Sequence, residues 1–135
     1  MTDGTPSGSA PAWGVFHVWM EGTTPAKHKF FVCLLTAGGS AVGVVINSRI
    51  NELGQGETLR PCYAPLRADA HPFLSHDSWA DCTRTFTVPL EALMDARGTL
   101  TLEAARSVLE AVRVCPRLKP RTWVALLGVP LLGEE

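Results

Sequence analysis

The sequence predicts a mainly β domain that ends in one principal helix. Three observations carry that expectation. Apolar stretches of strand length fill the chain up to residue 88, and helical spacing appears only beyond it. Gly38-Gly39 separates two such stretches, and a glycine pair supplies the positive φ angles of a tight hairpin turn. Strand and helix segments do not alternate, as a parallel sheet requires. A small, strongly bent antiparallel barrel, or a pair of sheets, with the helix packed on it satisfies all three. With 135 residues, 46% of them apolar, the chain fits one domain with its own core.

Met1–Ala12 is rich in Thr, Gly, Ser, Pro and Ala and reads as a flexible leader. Trp13–Trp19 reads as a strand with Val15, His17 and Trp19 on one face. His28–Thr36 is a second, largely apolar strand, and Ala41–Asn47 returns beside it. A polar loop leads to a possible strand over 58–64, where Pro61 implies a sheet edge. Trp79–Val88 is the next strand. Pro89–Met94 reads as a short helix that begins on proline and is stopped by Gly98. Thr101 then caps the main helix, Leu102–Cys115, whose stripe is Leu102, Ala105, Leu109, Val112 and Cys115. Arg106 and Glu110 are spaced to pair on its outer face. Domain organisation follows: leader 1–12, barrel domain 13–118, and an apolar tail 119–135 that covers the barrel or docks on a partner.

A net charge of -1 makes no general demand for a nucleic-acid partner, so an anionic ligand needs a local patch. Arg113, Arg117, Lys119 and Arg121 form the densest basic cluster, which also suits a solvated helix end. Cys33, Cys62, Cys82 and Cys115 form no CxxC pair. With no apolar signal segment at the start, reduced thiols and a cytoplasmic location are expected. Cys33 and Cys115 read as small buried hydrophobes. Zinc held by Cys62, His71, His76 and Cys82 has suitable ligand types, but the spacing matches no standard site, so no metal or other cofactor is assigned. The tail over 123–132 is too short to span a bilayer, and no membrane partner is expected.

The densest chemistry lies in His71–Cys82, which holds two His, two Asp, two Ser and a Cys among apolar anchors. Loops held by a sheet are where binding and catalytic groups concentrate. Taken in order, Lys27-His28-Lys29-Phe30-Phe31-Val32, Ile46-Asn47-Ser48 and Phe73-Leu74-Ser75-His76-Asp77-Ser78-Trp79-Ala80-Asp81-Cys82 resemble the PemK/MazF-type toxins, and more closely a divergent PemK-like branch. The resemblance spans residues 13–115. It implies a small SH3-like barrel with a C-terminal helix. It also implies a homodimeric endoribonuclease that cuts single-stranded RNA without a metal, in a toxin–antitoxin or phage–bacterium conflict. An antitoxin or other regulatory protein is the implied partner. In such proteins a basic residue opening the second long strand and a Ser or Thr closing the next serve the scissile phosphate. The matching positions are Lys29 (or Lys27) and Ser48. The family's Arg-Pro pair is replaced here by His28-Lys29, and Lys holds a phosphate as a point charge rather than through a fork. A catalytically inactive module that binds protein or nucleic acid is the alternative.

Residue chemistry supports the same positions. RNA cleavage needs a base for the ribose 2′-OH, an acid for the leaving oxygen and a cation for the phosphate. Histidine is the side chain suited to proton transfer near neutral pH, which makes His28 and His76 the candidates for base and acid. Lys29 suits the cation, Ser48 can orient the phosphate, and Asp77 can orient His76 or simply brace its loop. Lys27, Asn47, Arg49 and Ser78 flank them as substrate-binding candidates. Pairing about Gly38-Gly39 sets Lys29 opposite Ser48, within one residue. His17 reads as a half-buried strand residue and His71 as a loop residue.

Overall fold

The computed structural model describes residues 13–20, 27–48 and 60–115. The leader, Arg49, residues 58–59 of the expected edge strand, three of the four clustered basic residues (117, 119 and 121) and the apolar tail lie outside the described residues. Among the described residues six antiparallel strands form one sheet: β1 (Gly14–Met20), β2 (Lys27–Ala37), β3 (Ser40–Asn47), β4 (Tyr63–Leu66), β5 (Ser78–Pro89) and β6 (Ala96–Thr99). Their spatial order is β4-β5-β3-β2-β1-β6. Among the described residues one α-helix, α1 (Leu102–Val114), packs on β4 and β5. Among the described residues no helix is long and apolar enough to cross a membrane.

Gly38 and Gly39 take φ values of 60° and 80°, which closes the β2–β3 turn as expected. Near the turn Ala37 pairs with Ser40 and Thr36 with Ala41, but beyond Leu34 the pairing slips to Val32 with Val44 and Phe31 with Val45. Leu34 is the extra residue of a bulge. Gly43 sits at this point, where an added Cβ would lie 1.9 Å from the Val32 carbonyl oxygen. On its other side, four residues of β5 (Cys82–Thr85) face Val44 alone. Bulges on both flanks bend the sheet there.

The bend divides the apolar residues into two cores. The larger lies under α1 and includes Trp13, Val15, Val32, Val44, Ile46, Leu66, Leu100 and Val108. The smaller lies on the other face, where Phe16, Phe31, Cys33 and Val88 pack beneath Leu90 and Leu93. Trp13 holds a left-handed φ of 71° and is wholly buried. Its backbone links β2 to α1, since its N–H donates to Cys33 and its carbonyl accepts from Leu100.

Several elements differ from the expectation. Pro89–Met94 is not a helix: a single 3-10 turn, Leu90–Ala92, leads into the short edge strand β6. Gly98 belongs to that strand, with the Phe73 ring lying where its side chain would be. Pro61 falls in a 3-10 turn, Arg60–Cys62, so the edge strand begins only at Tyr63. Thr101 does cap α1, accepting from Ala104 N–H at 3.1 Å. The buried face, however, is Ala104, Ala105, Val108, Ala111 and Val112, and Leu102 is exposed. Small residues let the helix sit close on β4 and β5, which rotates the longer side chains outward. Glu110 pairs with Arg113 rather than Arg106, because Arg113 reaches it with both Nε and Nη2.

The reduced-thiol expectation is overturned at two positions. Cys62 and Cys115 form a disulfide that joins the turn before β4 to the end of α1. Docking of the helix end on β4 brings their Cα atoms to 4.7 Å, so Cys62 is also unavailable for zinc. Among the described residues no cluster of three or more His, Cys, Asp or Glu could hold a metal ion. Cys33 and Cys82 remain free and buried. Burial pushes the Cys33 thiol up from 9.0 to about 11 and raises that of Cys82 as well.

Candidate functional site

The slip at Leu34 decides which side chains meet across the hairpin. Continuing the register beyond Phe31 and Val45 sets Lys29 opposite Asn47, and His28 opposite Ser48. The expected Lys29–Ser48 pairing is therefore off by one residue. Because strand side chains alternate faces, this step puts Ser48 in the row of His28 and leaves Lys29 facing the other way. The Lys29 ammonium donates to Asn47 Oδ1. Asn47 Nδ2 in turn donates to Asp81 Oδ2 at 2.8 Å, and Thr83 donates to the other carboxylate oxygen through both its N–H and its hydroxyl. Lys29 is thus the head of a polar relay across β2, β3 and β5. Asn47 is the middle link of that relay.

The row on the concave face continues from strand to strand. Trp19 pairs with His28 across β1 and β2, and continuing the β3–β5 register sets Ser48 opposite Ser78. A pocket of about 320 Å³ opens along this row. It is lined by His17, His28, Lys29, Phe30, Ile46, Asn47, Ser48, Phe73, Leu74, Ser75, His76 and Ser78. The three histidines come from two strands and a loop. Phe73 anchors the loop by packing on Phe30 with ring centres 5.5 Å apart, and Leu74 is buried in the main core.

His76 has a defined tautomer. Its Nδ1 lies 3.0 Å from the Asp77 carbonyl, which can only accept, so Nδ1 carries the proton. The Ser78 hydroxyl donates to the His76 carbonyl at 3.0 Å and lies 3.3 Å from the same Nδ1. In the neutral ring Nε2 then keeps its lone pair. Ser78 is itself buried and donates its proton to the His76 carbonyl, so it braces the loop while lining the pocket. The Asp77 carboxylate does not hold His76 either. Its Oδ1 accepts from Ala68 N–H at 2.8 Å, outside the pocket lining, which is the loop-brace arrangement. Ser48 and His28 are exposed on the concave face. Lys27 closes the β1–β2 ladder opposite Met20, and its side chain lies outside the described residues.

Two histidines do more than expected. His17, diagonal to His28 across the ladder, stacks on it with ring centres 5.1 Å apart. On its far side His17 Nδ1 lies 3.9 Å from the Asp95 carboxylate. Hydrogen bonding to Arg97 is the main cause that holds the Asp95 carboxyl below its ordinary pKa, with His17 and His28 adding to it. His71 is 2% exposed, donates through Nδ1 to the Arg67 carbonyl and accepts at Nε2 from Thr101 N–H. It locks the loop to the cap of α1. The alternation of β1 already put His17 on a face with Trp19, but its neighbour across β2 depended on a register that no local signal supplies.

A strongly bent antiparallel sheet followed by a helix is the fold of the MazF-type toxins. Solved structures bear this out. The chain matches the toxin MazF-mt6 of Mycobacterium tuberculosis with a TM-score of 0.55 at 16% identity, over 73% of this chain and 90% of that one. It matches an endoribonuclease from a mycobacterial species with a TM-score of 0.58 at 11% identity, over 93% and 98%. A mycobacterial endoribonuclease in complex with its cognate antitoxin gives 0.57 at 13% identity, over 90% and 98%. No protein-family model and no curated protein sequence matches the chain.

Proposed function

We propose that this protein is a toxin-type endoribonuclease that cleaves single-stranded RNA without a metal, and that an antitoxin restrains it. The observation that supports this best is His76, held as the Nδ1–H tautomer on the concave surface that also carries His28 and Ser48. His76 Nε2 takes the proton of the ribose 2′-OH. The 2′-oxygen attacks phosphorus, and the bond from phosphorus to the 5′-oxygen breaks. His28, entering as the imidazolium, gives its proton to that leaving oxygen. The products are a 2′,3′-cyclic phosphate and a 5′-hydroxyl end. Ser48 donates to a non-bridging oxygen, and Lys29 supplies positive charge from behind the row through its relay. The likeness to endoribonucleases, one of them bound to its antitoxin, supports both the reaction class and the kind of partner.

One observation favours the second reading, a binding module without catalysis. The Lys29 ammonium is bonded to Asn47 instead of pointing into the row. Incubation of the purified protein with single-stranded RNA, followed by mapping of the new ends, separates the two. Cyclic phosphate ends that vanish in His76→Ala support the nuclease. Intact RNA at all enzyme concentrations supports the module.

A further inference from the structure

Ring contacts run without a break across the concave face. Trp19 meets His28 edge-on at 5.1 Å, and His28 stacks on His17 at 5.1 Å. His17 meets Phe30 at 5.4 Å, Phe30 meets Phe73 at 5.5 Å, and Phe73 meets His71 at 5.7 Å. The strip is graded. His71 is buried at 2% exposure, whereas Trp19 at the other end is 50% exposed. Its contact with His28 holds the Trp19 ring in place, yet half of its surface stays in water. Such a residue contributes little to folding for its size, and it stands at the end of the row that holds His28 and Ser48.

We propose that Trp19 is a stacking platform for a base of single-stranded RNA, next to the nucleotide whose phosphate sits at His28 and Ser48; this rests on the RNA reading above. Trp19 and Ser48 are two strands apart, about 10 Å at ordinary strand spacing. That distance suits a chain whose phosphate lies on Ser48 and whose neighbouring base turns onto the indole. The flanking imidazoles suit the phosphates of such a strand, and a duplex keeps its bases stacked inside and cannot offer one. Stacking of this kind is tolerant of base identity, because every base has a π face.

The test uses the full chain and a short, 5′-labelled, single-stranded oligoribonucleotide with 2′-O-methyl groups, which cannot be cleaved. Affinity is read by fluorescence anisotropy for wild type, Trp19→Ala, Trp19→Phe and Met94→Ala, the last at a remote residue 85% exposed. Thermal melting verifies that each variant is folded. Trp19→Ala should bind roughly tenfold more weakly, and Trp19→Phe should recover most of that loss. Met94→Ala should match wild type. Removing the base at one position of the oligonucleotide should erase the difference between wild type and Trp19→Ala. Equal affinity of wild type and Trp19→Ala overturns the proposal, as does an equal loss with duplex RNA or no binding of any single strand. Because the probe cannot react, the two readings fail separately. Trp19-dependent binding with no cleavage of unmodified RNA removes the nuclease and keeps the platform. Cleavage with Trp19-independent affinity does the reverse.

Discussion

A histidine that donates through Nδ1 to a carbonyl keeps its Nε2 lone pair for a substrate, and His76 is such a residue. As the base it must be neutral, which would give the pH–rate profile an acid limb. His76→Ala should flatten that acid limb and lower kcat by roughly a hundredfold or more. His28→Ala should instead flatten the alkaline limb, where the acid would otherwise lose its proton. Asp77 gives a sharper expectation than the sequence offered. Its carboxylate accepts from Ala68 N–H, and an amide oxygen can do the same, so Asp77→Asn should leave the pH–rate profile in place. Asp77→Ala should loosen the loop. The residue types at the site were legible in the sequence because His, Lys and Ser with this chemistry are few. The roles of Asp77, Ser78 and Asn47 were not, since each depends on which backbone or side-chain group it meets after folding. Burial makes one further prediction. With the Cys33 thiol moved from 9.0 to about 11 and Cys82 raised too, the unfolded chain ionises first as pH climbs above 9.0. These thiols therefore cost the fold nothing below that pH. Stability should fall between 9.0 and about 11, as alkaline denaturation would show, and neither thiol should react with alkylating agents in the native protein.

At the scale of elements, the hairpin was readable from Gly38-Gly39, and its strands begin and end within a residue or two of the expected positions. What the sequence hid was Leu34, whose bulge moves the partner of Ser48 from Lys29 to His28. A bulge conserves composition and alternation on both sides, so only pairing reveals it. Gly43 marks the same place, and it tests the account of the bend. Gly43→Ala puts a methyl group against the Val32 carbonyl and the Phe31 ring, and should cost roughly 3 kcal/mol in a urea melt. Little change would mean that the strands have room the structure does not show. The main helix was legible through Thr101 and its spacing, though its buried face was set by close packing on β4 and β5 rather than by its largest apolar residues. Its tie through Cys62–Cys115 closes a loop 53 residues long. Two cysteines that far apart, without a motif, carry no pairing signal. Cys62→Ser should lower stability by about 4 kcal/mol, and reduction of the wild type should reproduce the loss.

For the whole molecule, two edges of the sheet, β4 and β6, are left at the ends of the strand order. Such edges invite pairing with another chain. We propose a homodimer, and sedimentation should then give twice the 14.5 kDa of a single chain. The strand-then-helix order was enough to expect the fold, because few architectures bury that pattern in so short a chain. The edge strand β6 was missed because Arg97 and Gly98 dilute any alternation over its four exposed residues. Cleavage of RNA on the concave surface is open to direct test. Wild type and His76→Ala are incubated with the same single-stranded RNA in the presence of a chelator, and the ends of any fragments are identified. Fragments with 2′,3′-cyclic phosphate and 5′-hydroxyl ends are expected from the wild type, with a loss of roughly a hundredfold or more in the variant. Uncut RNA with the wild type, or equal cleavage by a folded His76→Ala, would contradict it.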